Sequence, residues 1–369
     1  MYCCHKQGKG MKKILEKVIH LFQKKENENI FDDSTCSNYL TSDEVKLNRE
    51  LVKKKIFEQS KVYQELKNGE HSQVQYVEQY DEVCGKGDIN YLNRMRLSYY
   101  LLYAHIDDED TVVYLFREEL KDRKSNSFQG IGNTLNVLTA ILNNYNIAGK
   151  YDEILDEAKN ANFDCACGFD KNYKIDNEIS SLDLMDCIFL SQDLDYKDVM
   201  EVLVNSWKKS VTQWTDTNRK TLIRFNSFLG KELENKDIYE TLLANAIANG
   251  KTFEAVSAYN SLIHYYIDSK DFENAYSYIN RMIDTTDFKE IEQIRLFAEV
   301  LEECFDIICG DARNSLELWQ WAKPYLSKRT NMYGNLYMKG IAAAKYVNDP
   351  YSEKLELEYQ DWKKKVGIK

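Results

Sequence analysis

Two prolines, Pro324 and Pro350, punctuate a chain of 369 residues. Proline and glycine supply most of the turn chemistry that β-rich and loop-rich folds need, and glycine occurs only 15 times. Of the residues, 30% are charged and 43% hydrophobic. A chain of this make-up folds into helices joined by short breaks. The expected class is therefore all-α. Its length exceeds what one compact core usually takes, so two domains or an extended repeat array are expected.

The breaks sharpen this reading. After residue 69, apolar-periodic segments alternate with short polar interruptions at 84–88, 105–110, 125–130, 146–152, 248–252, 268–272, 284–288, 309–314 and 347–350. Connections this short force neighbouring helices to run antiparallel. Several breaks carry start signals: Asp349 precedes Pro350, Asn314 stands three before Glu317, and Asp287 three before Glu290.

Two hairpins share a finer pattern. Leu138, Ile141, Leu142 and Tyr145 are followed by Ile154, Ala158 and Ala161; Tyr259, Leu262, Ile263 and Tyr266 are followed by Ala275, Ile279 and Met282. Bulky residues on the first helix meet a small residue at the start of the second, which lets the backbones cross closely. This pattern resembles the tetratricopeptide repeat, although Leu142 and Ile263 stand where the repeat has a small residue and the closing proline is missing. The resemblance implies a superhelical α-solenoid of antiparallel hairpins, in which stacking supplies the core that one hairpin lacks.

The expected organisation has four parts. Residues 1–41 form an N-terminal extension. Within it, Ile14, Leu15, Val18, Ile19 and Phe22 fall on one helical face of a basic segment, 11–25, suited to docking on the body, a partner or a membrane surface. Met11 would itself make a natural start, so residues 1–10 read as an added extension, and 26–40 as a polar linker. Residues 42–160 form a hairpin array whose first helix is opened by a Thr41–Glu44 capping box and ends near Lys67. Residues 161–179 lack helical periodicity and read as an irregular joint. Residues 180–369 form the tetratricopeptide-like array.

Chemistry is sparse. The net charge of -11 argues against a nucleic-acid surface, which needs a basic face, and favours a basic partner. No membrane-length apolar run or signal peptide is visible, and nine scattered cysteines fit reduced thiols in cytoplasm. Cys165 and Cys167, in the stretch NANFDCACGFDKNY, are spaced Cys-x-Cys without a second ligand pair, which is wrong for a closed zinc site. Cys3, Cys4 and His5 could bind a soft metal only adventitiously. The acids at 107–110 sit where a helix N-terminus favours them. No phosphate loop, nucleophile elbow or zinc-protease motif occurs. No catalytic residue, metal or cofactor is therefore assigned, and an enzyme is the least favoured class.

The functional expectation is a cytoplasmic, non-catalytic interaction module that binds a protein or peptide on its concave face. Arg224, Tyr259, Asn260, His264 and Tyr266 are the expected groove residues. Arg224 belongs to a basic, aromatic segment, 207–232, that includes Trp207 and Trp214. Trp319 and Trp321 stand two apart, so one is expected in the core and the other half-exposed. The layout also resembles that of the Rap-type regulators of Gram-positive bacteria, which implies peptide sensing. An immunity protein that neutralises a basic toxin is the other role considered.

Overall fold

The computed structural model describes residues 42–81, 85–125, 130–289, 291–311 and 313–367. The expected segment at 11–25, its linker and the Thr41 cap lie outside the described residues. Among the described residues nearly all regular structure is helix, as expected, with one two-stranded sheet. The chain divides into two compact units, 42–212 and 213–367 among the described residues.

The first unit contains α1 (Ser42–Phe57), α2 (Ser60–Lys67), β1 (Glu78–Asp81), β2 (Gly85–Asp88), α3 (Tyr91–Tyr103), α4 (Glu109–Ser125), α5 (Asn133–Leu142), α6 (Asp152–Lys159), α7 (Phe163–Gly168), α8 (Leu184–Asp193) and α9 (Lys197–Ser210). Helix α3 is buried nearly all round, from Arg94 to Tyr103, and α1, α4 and α5 pack against it. An all-round apolar helix must be central. The expected continuous helix to Lys67 breaks at Glu58 and Gln59. The antiparallel hairpin, with Glu78 opposite Asp88 and Tyr80 opposite Lys86, replaces an expected helical break. Gly85 and Gly87 weaken helix there, and Asp88 Oδ1 accepts from the backbone N–H groups of Val77 (2.9 Å) and Asn90 (3.0 Å).

A buried ion network ties this hairpin to two helices. Arg94, 0% exposed, contacts Asp88 at 2.5 Å and Glu119 at 2.9 Å. Arg123 contacts Glu119 at 3.2 Å and also pairs with Asp122. Burial raises the Glu119 carboxyl above its ordinary range, against the opposing pull of Arg123 and Arg94.

Residues 161–179 lie inside this unit. Part of the segment is helical. Asn162 caps α7, accepting the Cys165 N–H at 2.7 Å, and its Nδ2 donates to the carbonyls of Arg123 and Gly130, both at 3.0 Å. Asp164 accepts the Gly130 N–H at 3.1 Å. Polar residues that broke the apolar period thus work as side-chain clamps between elements.

The second unit contains α10 (Asp216–Phe228), α11 (Lys236–Ala248), α12 (Thr252–Asp268), α13 (Phe272–Thr285), α14 (Arg295–Gly310), α15 (Ser315–Lys328), α16 (Gly334–Tyr346) and α17 (Tyr351–Val366). Each packs on its sequence neighbour; in addition α12 packs on α14 and α14 on α16. These three form a row, and α13, α15 and α17 each pack against members of it. Of the repeat-like positions, Tyr259, Leu262, Ile263, Ala275, Ile279 and Met282 are fully buried, whereas Tyr145, Ile154 and Ala161 of the first hairpin are only half-buried. Full burial of a Leu, Ile or Met side chain stabilises by about 1.5–3 kcal/mol. Trp319 is buried and Trp321 half-buried, as their spacing required.

Helix exits explain how the chain manages with little glycine. His105, Asp195, Lys270 and Asn348 take left-handed backbone angles, φ 51–57°, at sites that glycine usually fills. Glycine is needed elsewhere: a Cβ on Gly310 would come within 2.3 Å of the Phe272 ring. The expected helix start at Asp287 is absent. Asp287 closes a turn on the Lys289 N–H at 3.1 Å, and the Arg329 guanidinium holds the carbonyls of Glu292 (2.5 Å) and Ile294 (2.6 Å), so α14 begins at Arg295.

Candidate functional site

The row α12–α14–α16 brings charged side chains together on helices that also build the core. Its middle helix reads RLFAEVLEECFDIICG. Phe297, Leu301, Cys304 and Ile308 are fully buried. Glu299, Glu302, Glu303 and Asp306 recur at i, i+3, i+4 and i+7, which places them along one stripe of that helix.

Each carboxylate of the stripe is held by a donor. His264 on α12 places Nδ1 3.0 Å from Glu303 Oε1 and Nε2 3.3 Å from Asp268. Lys339 on α16 lies 2.6 Å from Asp306 and 3.5 Å from Glu302. Tyr333 and Asn335 both donate to Glu302. Arg295 lies 3.0 Å from Glu299 and stacks over the Tyr333 ring at 3.7 Å. Residues from three helices thus meet along α14 in two bonded groups, one on Glu303 and one on Glu302 and Asp306, that interact electrostatically.

Its electrostatics follow from burial on one side and exposure on the other. The Glu303 side chain is only 9% exposed and that of His264 is 61% exposed. Burial raises the Glu303 carboxyl, opposed by its bond to His264. The Glu303 bond raises His264, with burial opposing. Burial would lower Lys339, but its bond to Asp306 and the nearby carboxylates outweigh this and raise it. Two buried acceptors, Glu303 Oε2 and Asn260 Oδ1, have no hydrogen-bond partner among the described residues. Such atoms carry an uncompensated desolvation cost.

On the same stripe of α12, Ser257 and Ser261 line a cleft of about 390 Å³ shared with Asp216 and Lys220 of α10 and Tyr239 and Leu242 of α11. The α12 face therefore runs from this cleft, through Asn260 and His264, to Asp268.

Of the expected groove residues, Asn260 and His264 lie on this face. Tyr259 and Tyr266 do not. Tyr259 is 0% exposed, with its hydroxyl 3.4 Å from Thr285 Oγ1, and Tyr266 is 8% exposed and stacks on Tyr278 at 5.4 Å. Both rings pack mainly into the core. Arg224 is exposed on α10 and shares no bond with either group; Lys220, one turn earlier, lines the cleft instead. Glu302, Glu303, Asp306, Asn335 and Lys339 were not foreseen. Their signal was a run of carboxylates at helical spacing inside an apolar segment.

Cys165 is buried and Cys167 exposed, pointing to different sides of a short helix. Burial raises the Cys165 thiol. Among the described residues, no three His, Cys, Asp or Glu side chains are grouped to hold a metal ion, and no helix is long and apolar enough to cross a membrane. Comparison of the chain with protein-family models, curated proteins and solved structures finds no match.

Proposed function

We propose that the second unit is a protein- or peptide-binding stack of helical hairpins, an α-solenoid of tetratricopeptide type, with α12, α14 and α16 lining its concave face. The chain would act as a non-catalytic cytoplasmic interaction module. The observation that carries this reading is the polar stripe from His264 to Lys339, built on the helices that pack consecutively on one another. Packing alone does not require this charge: replacing buried ion pairs by apolar residues is often neutral or stabilising. A recognition surface does gain, since pre-positioned donors and acceptors lower the ordering cost of binding.

The carboxylate excess on α14, with the overall charge of -11, favours a basic partner segment, whose attraction would speed encounter at low salt. The Rap-type regulator and the immunity protein are two forms of this reading that differ in the partner's identity. The test is affinity purification with the wild type and with a face variant, Asn335→Ala/Lys339→Glu, followed by titration of each purified partner. A partner held by the wild type and lost by the variant supports the proposal. Equal retention by both removes the face from it, and turnover of a metabolite by a chain that binds no protein or peptide overturns it.

A further inference from the structure

The last two described helices leave an apolar cleft open. Met338 on α16 is 50% exposed and Leu357 on α17 is 70% exposed. Together with Ile341 and Tyr359 they line a cleft of about 730 Å³. Scattered exposed apolar residues need no explanation, but large ones converging from two helices on one cleft mark a surface that something covers. The charged residues in the lining are Glu353 and Glu356, and the latter also pairs with Lys345 at 2.5 Å. An occupant should therefore present an apolar stripe with positive charge beside it.

Residues 11–25 of the same chain have that composition. Ile14, Leu15, Val18, Ile19 and Phe22 share one helical face, and Lys12, Lys13, Lys17, Lys24 and Lys25 flank it. The segment's apolar side matches the cleft and its lysines are opposite in charge to Glu353 and Glu356. Residues 26–41 separate it from α1 and can span up to about 55 Å when extended. We propose that Met11–Phe22 docks its apolar stripe on the α16–α17 cleft, with its lysines beside Glu353 and Glu356, so that the N-terminal segment caps the end of the second unit.

The test uses the full chain and hydrogen exchange read by mass spectrometry. The expected wild-type result is protection of both 11–25 and the peptides covering 337–342 and 353–360. Ile19→Asp/Phe22→Asp should speed exchange in the two cleft peptides by about tenfold or more while leaving α12 and α14 unchanged. Leu357→Asp, at a site too exposed to threaten folding, should release the protection of 11–25 from the other side. Unchanged cleft exchange in the N-terminal variant overturns the proposal. So does protection of 11–25 only when phosphatidylserine vesicles are added, which makes the segment a membrane binder. Cleft protection that appears only with a concentration-dependent dimer also overturns it, since a second copy is then the occupant.

Discussion

Replacing Arg94 with methionine tests the packing logic of the first unit. Methionine keeps much of the volume but removes the cation between Asp88 (2.5 Å) and Glu119 (2.9 Å), with all three side chains 0% exposed. Breaking a buried pair by removing one partner costs about 3–5 kcal/mol. Glu119 keeps Arg123 at 3.2 Å, so the lower end, about 3 kcal/mol, is expected. For a unit spanning 42–212, an unfolding entropy near 2.1 cal/mol/K per residue turns about 3 kcal/mol into a loss of about 8 °C. Scanning calorimetry with urea titration would measure it. In the double variant Arg94→Met/Glu119→Met the second change should cost less than it does alone, because the carboxylate it removes is already destabilised. A shift under about 2 °C for Arg94→Met would show that water or rearrangement satisfies the site, and the network would not be a buried one.

Other perturbations probe separate parts of the molecule. Asp349→Ala removes an acceptor shared by Trp319 Nε1 and Lys323 Nζ, each at 2.7 Å, and should cost about 1–3 kcal/mol with a change in tryptophan emission. Burial would raise Asp349, but Lys323 and Trp319 outweigh it and lower it. Its contribution is therefore present above about pH 4 and lost as pH falls through the folded-state value. His264 is raised by Glu303, so the pair's contribution is full below about pH 6.5, as long as Glu303 stays ionised, and falls as pH rises through the folded His264 value. His264→Gln should abolish that slope in a pH series of urea midpoints. Brief alkylation of the native chain should label Cys167 and spare Cys165 and Cys304, whose thiols burial raises; equal labelling would contradict the packing of α7 and α14.

The helical class was legible because it rests on composition and spacing. Tyr259, Leu262, Ala275 and Ile279 are buried at the repeat-like spacing, while Tyr145, Ile154 and Ala161 of the other expected hairpin are only half-buried. The hairpin at 78–88 was not, since four-residue strands give too little period to read. Nor was the place of residues 161–179, because Asn162 and Asp164 act through long-range side-chain bonds that leave no periodic trace. Of the expected groove residues, Asn260 and His264 fall on the polar stripe of α12, whereas Tyr259 and Tyr266, at the repeat-like positions of the same helix, lie in the core. Glu302 and Glu303 acquire meaning only once α14 is seen to lie between α12 and α16.

The central claim is that the α12–α14–α16 face binds a protein or peptide segment, and calorimetric titration of a co-purified, purified partner into wild type and Asn335→Ala/Lys339→Glu tests it most directly. The account predicts that the face variant weakens binding at least about tenfold, about 1.4 kcal/mol, while Arg94→Met, in the other unit, leaves the affinity unchanged at a temperature where it is folded. Equal affinity of the face variant and the wild type would contradict it.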